Sequence, residues 1–177
     1  MNLLIKATAF AAEKHKNQRR KDSEASPYIN HPIALANILA NEGGIANIEV
    51  LCAAILHDTI EDTNTSANEL IMQFGEKITS IVLEVTDDKH LEKSERKAKQ
   101  IAHIATASHE AKLVKLADKI ANLRDILSNP PAKWDKQTKL NYFLWAEQVI
   151  AGTKGTNLKL EKIFQSILEQ GLQAFAE

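Results

Sequence analysis

Leu51-Cys52-Ala53-Ala54-Ile55-Leu56-His57-Asp58-Thr59-Ile60-Glu61-Asp62 decides how this chain folds. An almost unbroken apolar run is followed by a histidine and three carboxylates. Such a run reads as a helix buried around most of its circumference, so its polar end sits at the bottom of a pocket. An imidazole beside a carboxylate suits a hard or borderline divalent cation. Glu61 follows His57 by four residues. If the helix continues or turns back there, its carboxylate points at the same cavity. An isolated His-Asp pair is more often a satisfied structural ion pair. Here the three acids crowded into residues 58–62 repel one another and lose solvation. A bound cation or a protonated, functional carboxyl compensates for that.

Working outward, apolar positions recur at helical spacing on both sides. Leu3, Ala7, Phe10 and Ala11 predict a first amphipathic helix ending near His15. Residues 16–27 have no apolar period and read as a basic surface loop around Arg19-Arg20-Lys21. That run is either a solvated charge cluster or a phosphate clamp. Pro32 fits the first turn of the next helix, with Asn30 or His31 at its cap and Gly43-Gly44 at its end. The central helix starts near Asn47. Ser66-Ala67-Asn68-Glu69 predicts a capping box, and Gly75 breaks the helix behind it. A second apolar segment runs on to Val85. Asp87 and Asp88, placed at its C-terminal end, are either solvated or face the pocket entrance.

Leu91 to Ala107 is lysine-rich and reads as an exposed helix over the domain. Residues 111–127 form the second strongly apolar helix, with a stripe of Leu113, Leu116, Ile120, Leu123 and Leu127. Asp118 shares a face with Asn122 and with Lys115. Flanked by apolar residues, it is either turned inward or an ordinary exposed helix aspartate. Asn129-Pro130-Pro131 ends this helix, Asp135 caps the next, and a last helix begins near Asn157.

The 177 residues suffice for one domain with a full core, and no repeat or composition shift marks a second. Aromatics make up only 5%, which favours helices over sheet. A net charge of −1 gives no global reason to expect nucleic acid or an anionic membrane as partner. The single cysteine, Cys52, lies in the apolar run, which fits a reducing compartment. No signal peptide or membrane-length apolar run is present, so a cytoplasmic protein is expected.

His31, the His57-Asp58 pair and Asp118 together resemble the pattern of the HD-domain superfamily of metal-dependent phosphohydrolases. Further blocks bring the likeness closer: Arg20-Lys21-Asp22, Tyr28-Ile29-Asn30-His31-Pro32, residues 56–63, Val85-Thr86-Asp87-Asp88-Lys89 and residues 115–124. In that order they resemble the hydrolase domain of RelA/SpoT proteins over nearly the whole chain. The nearest likeness is to the stand-alone small alarmone hydrolases of the metazoan SpoT-homologue type. The resemblance implies an all-α fold: one HD-domain helical bundle over 1–177, with the metal-binding core at about 28–127 and C-terminal helices 135–174 packed on it. It implies one Mn2+ ion held by His31, His57, Asp58 and Asp118. It also implies hydrolysis of the 3′-diphosphate of ppGpp or pppGpp, the stringent-response alarmones, to GDP or GTP and pyrophosphate. Glu61 and Asp62 match the catalytic acidic pair. Arg20, Lys21, Asn122 and Tyr142 match positions that contact the nucleotide. One departure is Ser23-Glu24-Ala25-Ser26, where many members have a short glycine-containing turn.

The chemistry fits the residue types. A divalent cation lowers the pKa of a water and polarises a phosphoryl oxygen. Two histidines and two aspartates leave coordination positions open, and the absence of thiolates argues against a structural zinc. Either Glu61 or Asp62 can take the proton of the attacking water. Lys93 and Arg96 are further candidates for closing over the phosphates. With no synthetase or regulatory segment in view, hydrolysis alone is expected. Two other readings remain open at this point. One is the same site acting on another nucleotide, such as the 2′-phosphate of NADPH. The other is a helical module that holds a nucleotide or a structural metal without turnover.

Overall fold

The computed structural model describes residues 1–176. Its elements are α1 (Asn2–Lys14), α2 (Asn30–Asn37), a π-helical turn (Ile38–Glu42), α3 (Ile48–Leu56), a single-turn α4 (Thr59–Asp62), α5 (Ala67–Phe74), α6 (Glu76–Val85), α7 (Lys93–Ile104), α8 (His109–Ser128), α9 (Lys136–Ala151) and α10 (Leu158–Ala176). Among the described residues the only extended pairing is an isolated bridge from Arg19 to Pro27, which closes the neck of the basic loop. The fold is all-α.

Two helices form the axis of the bundle. In α3 every residue from Val50 to Leu56 is buried, because α1, α2, α6 and α8 surround it. Each large aliphatic side chain buried this way contributes about 1.5–3 kcal/mol. Asn47 fixes the helix start, its Oδ1 accepting the N–H groups of Glu49 at 2.8 Å and Val50 at 3.3 Å. The second axis is α8, capped by Ser108 Oγ, which accepts the Ala111 N–H at 3.1 Å. Its stripe Leu113, Leu116, Ile120 and Leu123 is buried against α2, α3, α6, α9 and α10.

The boundaries follow local chemistry, with three departures from the sequence reading. First, α2 starts at Asn30 with Ile29 in the cap position, so neither Asn30 nor His31 caps it. Pro32 still falls in the first turn. Second, the helix widens into the π-helical turn before Gly43, whose N–H donates to the Ile38 carbonyl at 2.8 Å. That turn positions Glu42, which takes a two-pronged bond from Arg124 at 2.7 and 2.8 Å. Third, the capping box of α5 is half-formed. Ser66 Oγ accepts the Glu69 N–H at 3.2 Å, but the Glu69 carboxylate pairs with Lys14 instead. Gly75 separates α5 from α6 at φ +85°, a conformation side-chain-bearing residues rarely take.

Helix α7 buries only Ile104. It rests chiefly on α9, and Lys93, Arg96, Lys97 and Gln100 line a cavity together with the end of α3 and the middle of α8, where the polar residues gather. No helix of the described residues is long and apolar enough to cross a membrane.

Candidate active site

The apolar run of α3 ends at His57. Asp58 leaves helical geometry at φ −100° and ψ 1°, and α4 turns the chain back. His31 arrives from the first turn of α2 and Asp118 from the middle of α8. One ligand atom from each of His31, His57 and Asp118 lies within 4.8 Å of the others, and all three residues are buried. Asp118 is therefore turned inward. Asp58 lies outside that triplet but beside it, with Oδ2 2.8 Å from His57 Nε2.

The hydrogen bonds show what this cluster requires. His57 Nδ1 lies 2.9 Å from the Ala54 carbonyl. A carbonyl only accepts, so Nδ1 carries the proton and the neutral ring presents a lone pair at Nε2. That lone pair faces the Asp58 carboxylate, and Nε2 is buried without a hydrogen-bond partner. Two acceptors pointed at each other are bridged only by a proton or a cation. His31 Nε2 lies 3.3 Å from Asp118 Oδ1, while its buried Nδ1 has no partner. These residues fit a divalent cation, with the Ala54 carbonyl orienting one ring from behind.

The titration behaviour agrees. Burial raises the Asp58 carboxyl, but the His57 ring, and His31 beyond it, outweigh this and hold it below the usual carboxylate range. Burial likewise raises Asp118, yet Lys119 and His31 hold it well below that range. Burial depresses His57, and the Asp58 carboxylate more than restores it, leaving the ring above its ordinary value. The proton on His57 thus stands where a cation would. Burial and the nearby Asp58 charge push Glu61 up to about 7.

A cavity of about 400 Å3 opens over the cluster. Glu61 lines it, and its Oε2 accepts the Asp87 N–H at 3.0 Å. Asp62 does not line it. That carboxylate belongs to an adjoining recess of about 350 Å3, where Lys89 and Gln18 donate to it. Of the expected nucleotide contacts, Arg20, Lys21, Asn122 and Tyr142 line both spaces. Arg20 is engaged by Asp125 and by Asn122 Oδ1 at 3.1 Å. Asn122 Nδ2 in turn donates to Asp118 Oδ1 at 2.7 Å. Lys93 and Arg96 also line the cavity, as does Asp87. Lys115 does not pair with Asp118 as helical spacing allowed. Its ammonium donates to the Val85 carbonyl at 3.0 Å, and Lys119 takes Asp118 Oδ2 at 3.0 Å.

Of the aromatic wall only Tyr142 was expected from the sequence; the two tryptophans beside it were not. Trp134, Tyr142 and Trp145 stand in a row, with ring centroids 5.5 and 5.2 Å apart. The Lys97 ammonium sits 4.7 Å, and that of Lys119 4.3 Å, from the Trp145 ring centre. A signal was available. The chain has two tryptophans and two tyrosines, and all four line this one cavity. The wall carries a marked charge bias. Arg20, Lys21, Lys93, Arg96, Lys97, Lys115 and Lys119 contribute seven cations, against the carboxylates of Asp58, Glu61, Asp87 and Asp118.

Known proteins resemble this one at every level. A family model described as HD domain matches residues 7–148. A guanosine-3′,5′-bis(diphosphate) 3′-pyrophosphohydrolase MESH1 of Xenopus tropicalis is 53% identical over 171 residues, covering 96% of each chain. The protein of that name from Homo sapiens is 50% identical, covering 94% of this chain and 93% of its own. A solved structure described as a metazoan ortholog of SpoT that hydrolyses ppGpp superimposes with a TM-score of 0.93 at 44% identity, covering 96% of both chains. The chain belongs to the HD-domain family, in the group of the MESH1 proteins.

Proposed function

We propose that the protein is a metal-dependent 3′-pyrophosphohydrolase of guanosine-3′,5′-bis(diphosphate) and its 5′-triphosphate counterpart. The observation that carries this is the cavity itself. A cation-ready His31, His57, Asp58 and Asp118 cluster shares one cavity with an aromatic wall suited to a base and a surplus of cations suited to a polyphosphate. The similar MESH1 proteins bear the name of this activity. In this reading the chain is one domain, its core at about 28–127 and residues 135–174 packed on it, and it works in the cytoplasm with Mn2+ as the resident ion.

A divalent cation in the cluster supplies a Lewis acid for the phosphoryl oxygens and lowers the pKa of a nearby water. The residues do the rest. Glu61 lines the cavity and is raised to about 7, so it takes the proton of the attacking water near neutral pH. The water oxygen bonds to the phosphorus attached to the 3′-oxygen, and the bond between that phosphorus and O3′ breaks. The proton ends on O3′, giving a 3′-hydroxyl and pyrophosphate. Asp62, held by Lys89 and Gln18, steadies the helical turn that carries Glu61. Trp134 and Tyr142 stack the guanine, and Arg20 and Lys21 hold phosphate.

Hydrolysis in 18O-water tests the bond and the product together. The expected result is one 18O in pyrophosphate and none in the nucleotide. Label in the nucleotide, or orthophosphate as the first product, overturns the reading.

A further inference from the structure

Helix α4 is a single turn, and a turn that short does not hold itself. It is closed by backbone bonds from the Asp62 N–H to the Asp58 carbonyl at 2.8 Å and from the Thr63 N–H to the Thr59 carbonyl at 3.1 Å. Forming one turn fixes several residues for each bond gained, so an isolated turn melts. Yet this turn carries Glu61, and Asp58 and Asp62 stand at its two ends. Lys89 reaches Asp62 with a half-exposed side chain, and exposed pairs contribute little. Two further braces reach the ends of α4, and both lead back to His15.

His15 closes the C-terminus of α1 and is 2% exposed. The first brace runs through Gln18, whose Nε2 donates to Asp62 Oδ2 at 2.8 Å. Its Oε1 therefore faces the other way and lies 2.6 Å from His15 Nδ1. An amide oxygen only accepts, so Nδ1 carries a proton. A proton moved to Nε2 would find no acceptor, because that atom is buried without a partner. The ring thus fixes the direction of the amide, and the amide presents Asp62 with a donor instead of an acceptor. The second brace is Tyr28. Its ring lies 4.8 Å from that of His15, and its phenol donates to Asp58. The two braces are tied together, since the Tyr28 N–H donates to the Gln18 carbonyl at 3.1 Å.

His15 itself lines neither the cavity over the cluster nor the adjoining recess. It acts only through its neighbours. We infer that His15 is a positioning residue for the reaction proposed above, on which this inference rests: through Gln18 and Asp62 it holds the turn that aims Glu61 at the attacking water. The Nδ1 proton is what the position requires, and the bulk of the ring is secondary.

Two substitutions separate these uses. His15→Leu fills the place of the ring and removes the donor. His15→Asn gives up the ring and keeps an amide N–H where Nδ1 stands. A merely structural role favours leucine, whereas positioning favours asparagine. With the full chain at saturating Mn2+ and ppGpp, His15→Leu is expected to lose about 10–100-fold in kcat with little change in KM. His15→Asn is expected to recover most of that loss despite a lower Tm. Gln18→Met gives a loss like that of His15→Leu, and the double variant loses no more than either alone, since both cut one chain of bonds. Gln18→Met also serves should His15→Leu fail to fold. Wild-type kcat in His15→Leu, or asparagine no better than leucine, overturns the inference. The ring 15N spectrum of the wild type, in which His15 is one of six histidines and is assigned by its loss in His15→Asn, reads the tautomer without turnover. A bare Nδ1 overturns the inference whatever the activity. A protonated Nδ1 in a wild type that releases no pyrophosphate overturns the proposed reaction and leaves the chain from His15 to Asp62 standing.

Discussion

The phenol of Tyr28 donates to the carboxylate of Asp58, and its ring lies 4.8 Å from that of His15. The aspartate proposed as a metal ligand is therefore held by a second side chain of the cavity wall. Removing this hydroxyl frees the carboxylate to rotate. Groups that orient metal ligands typically account for 10–100-fold in metal affinity. Tyr28→Phe is expected to weaken Mn2+ binding by about tenfold with little change in fold, as read by titration calorimetry. Unchanged affinity shows that the bond positions nothing.

As the proposed base, Glu61 is expected to set the acid limb of the rate profile. Its carboxyl is raised to about 7 by burial and by Asp58, and a base must be ionised to act. Activity is expected to rise with pH and level off at or below about 7, since a cation nearby favours the ionised form. Glu61→Gln should cut kcat by about 10²–10⁴ and erase the limb. The stability effect has the opposite sense. A folded-state pKa above the ordinary 4.5 stabilises the metal-free protein at pH below 4.5, and that contribution is lost as pH rises through about 7. Thermal melts of metal-free wild type against Glu61→Gln across this range check it.

The aromatic wall should recognise the base and ignore the phosphates. Stacking on one aromatic ring is worth about 1–3 kcal/mol per base. Trp134→Ala is expected to raise KM for the guanosine substrate by roughly 5–150-fold, with pyrophosphate affinity unchanged. Because both tryptophans of the chain line the cavity, binding should also alter intrinsic fluorescence, and a silent titration counts against this wall.

At Gly171, α10 lies close against α9. A methyl group there would lie 1.8 Å from Phe143 Cε1, and Phe143 is fully buried. The overpacking should cost about 1–3 kcal/mol, partly offset by the better helix propensity of alanine. Gly171→Ala is expected to lower Tm by roughly 2–12 °C without altering the metal site. An unchanged Tm indicates that the two helices separate freely.

The sequence was most legible where one residue type had one physical use. The run from Leu51 to Leu56 had no polar face, so its burial and the enclosure of His57 followed directly. Asp118 alone could have faced either way, and only the motif order argued for the pocket. The packing of α8 between α3 and α9 settled its direction. The partner of Lys115 was not legible, because helical spacing favours Lys115 over the adjacent Lys119 for Asp118, and only the Val85 carbonyl at the end of α6 reverses that. The split between Glu61 and Asp62 was hidden for a similar reason. The single turn of α4 sends adjacent carboxylates into different spaces, and no local pattern encodes that turn. Trp134 and Trp145 belong to α9 and the loop before it, whose placement depends on contacts far away in sequence.

Hydrolysis at this site requires one cation reaching four side chains. Diffraction from Mn2+-soaked crystals at the manganese absorption edge measures this directly. The expected result is a single anomalous peak within bonding distance of His31, His57, Asp58 and Asp118, lost in Asp118→Ala. A peak elsewhere, or none while pyrophosphate release continues, would rule out this metal site.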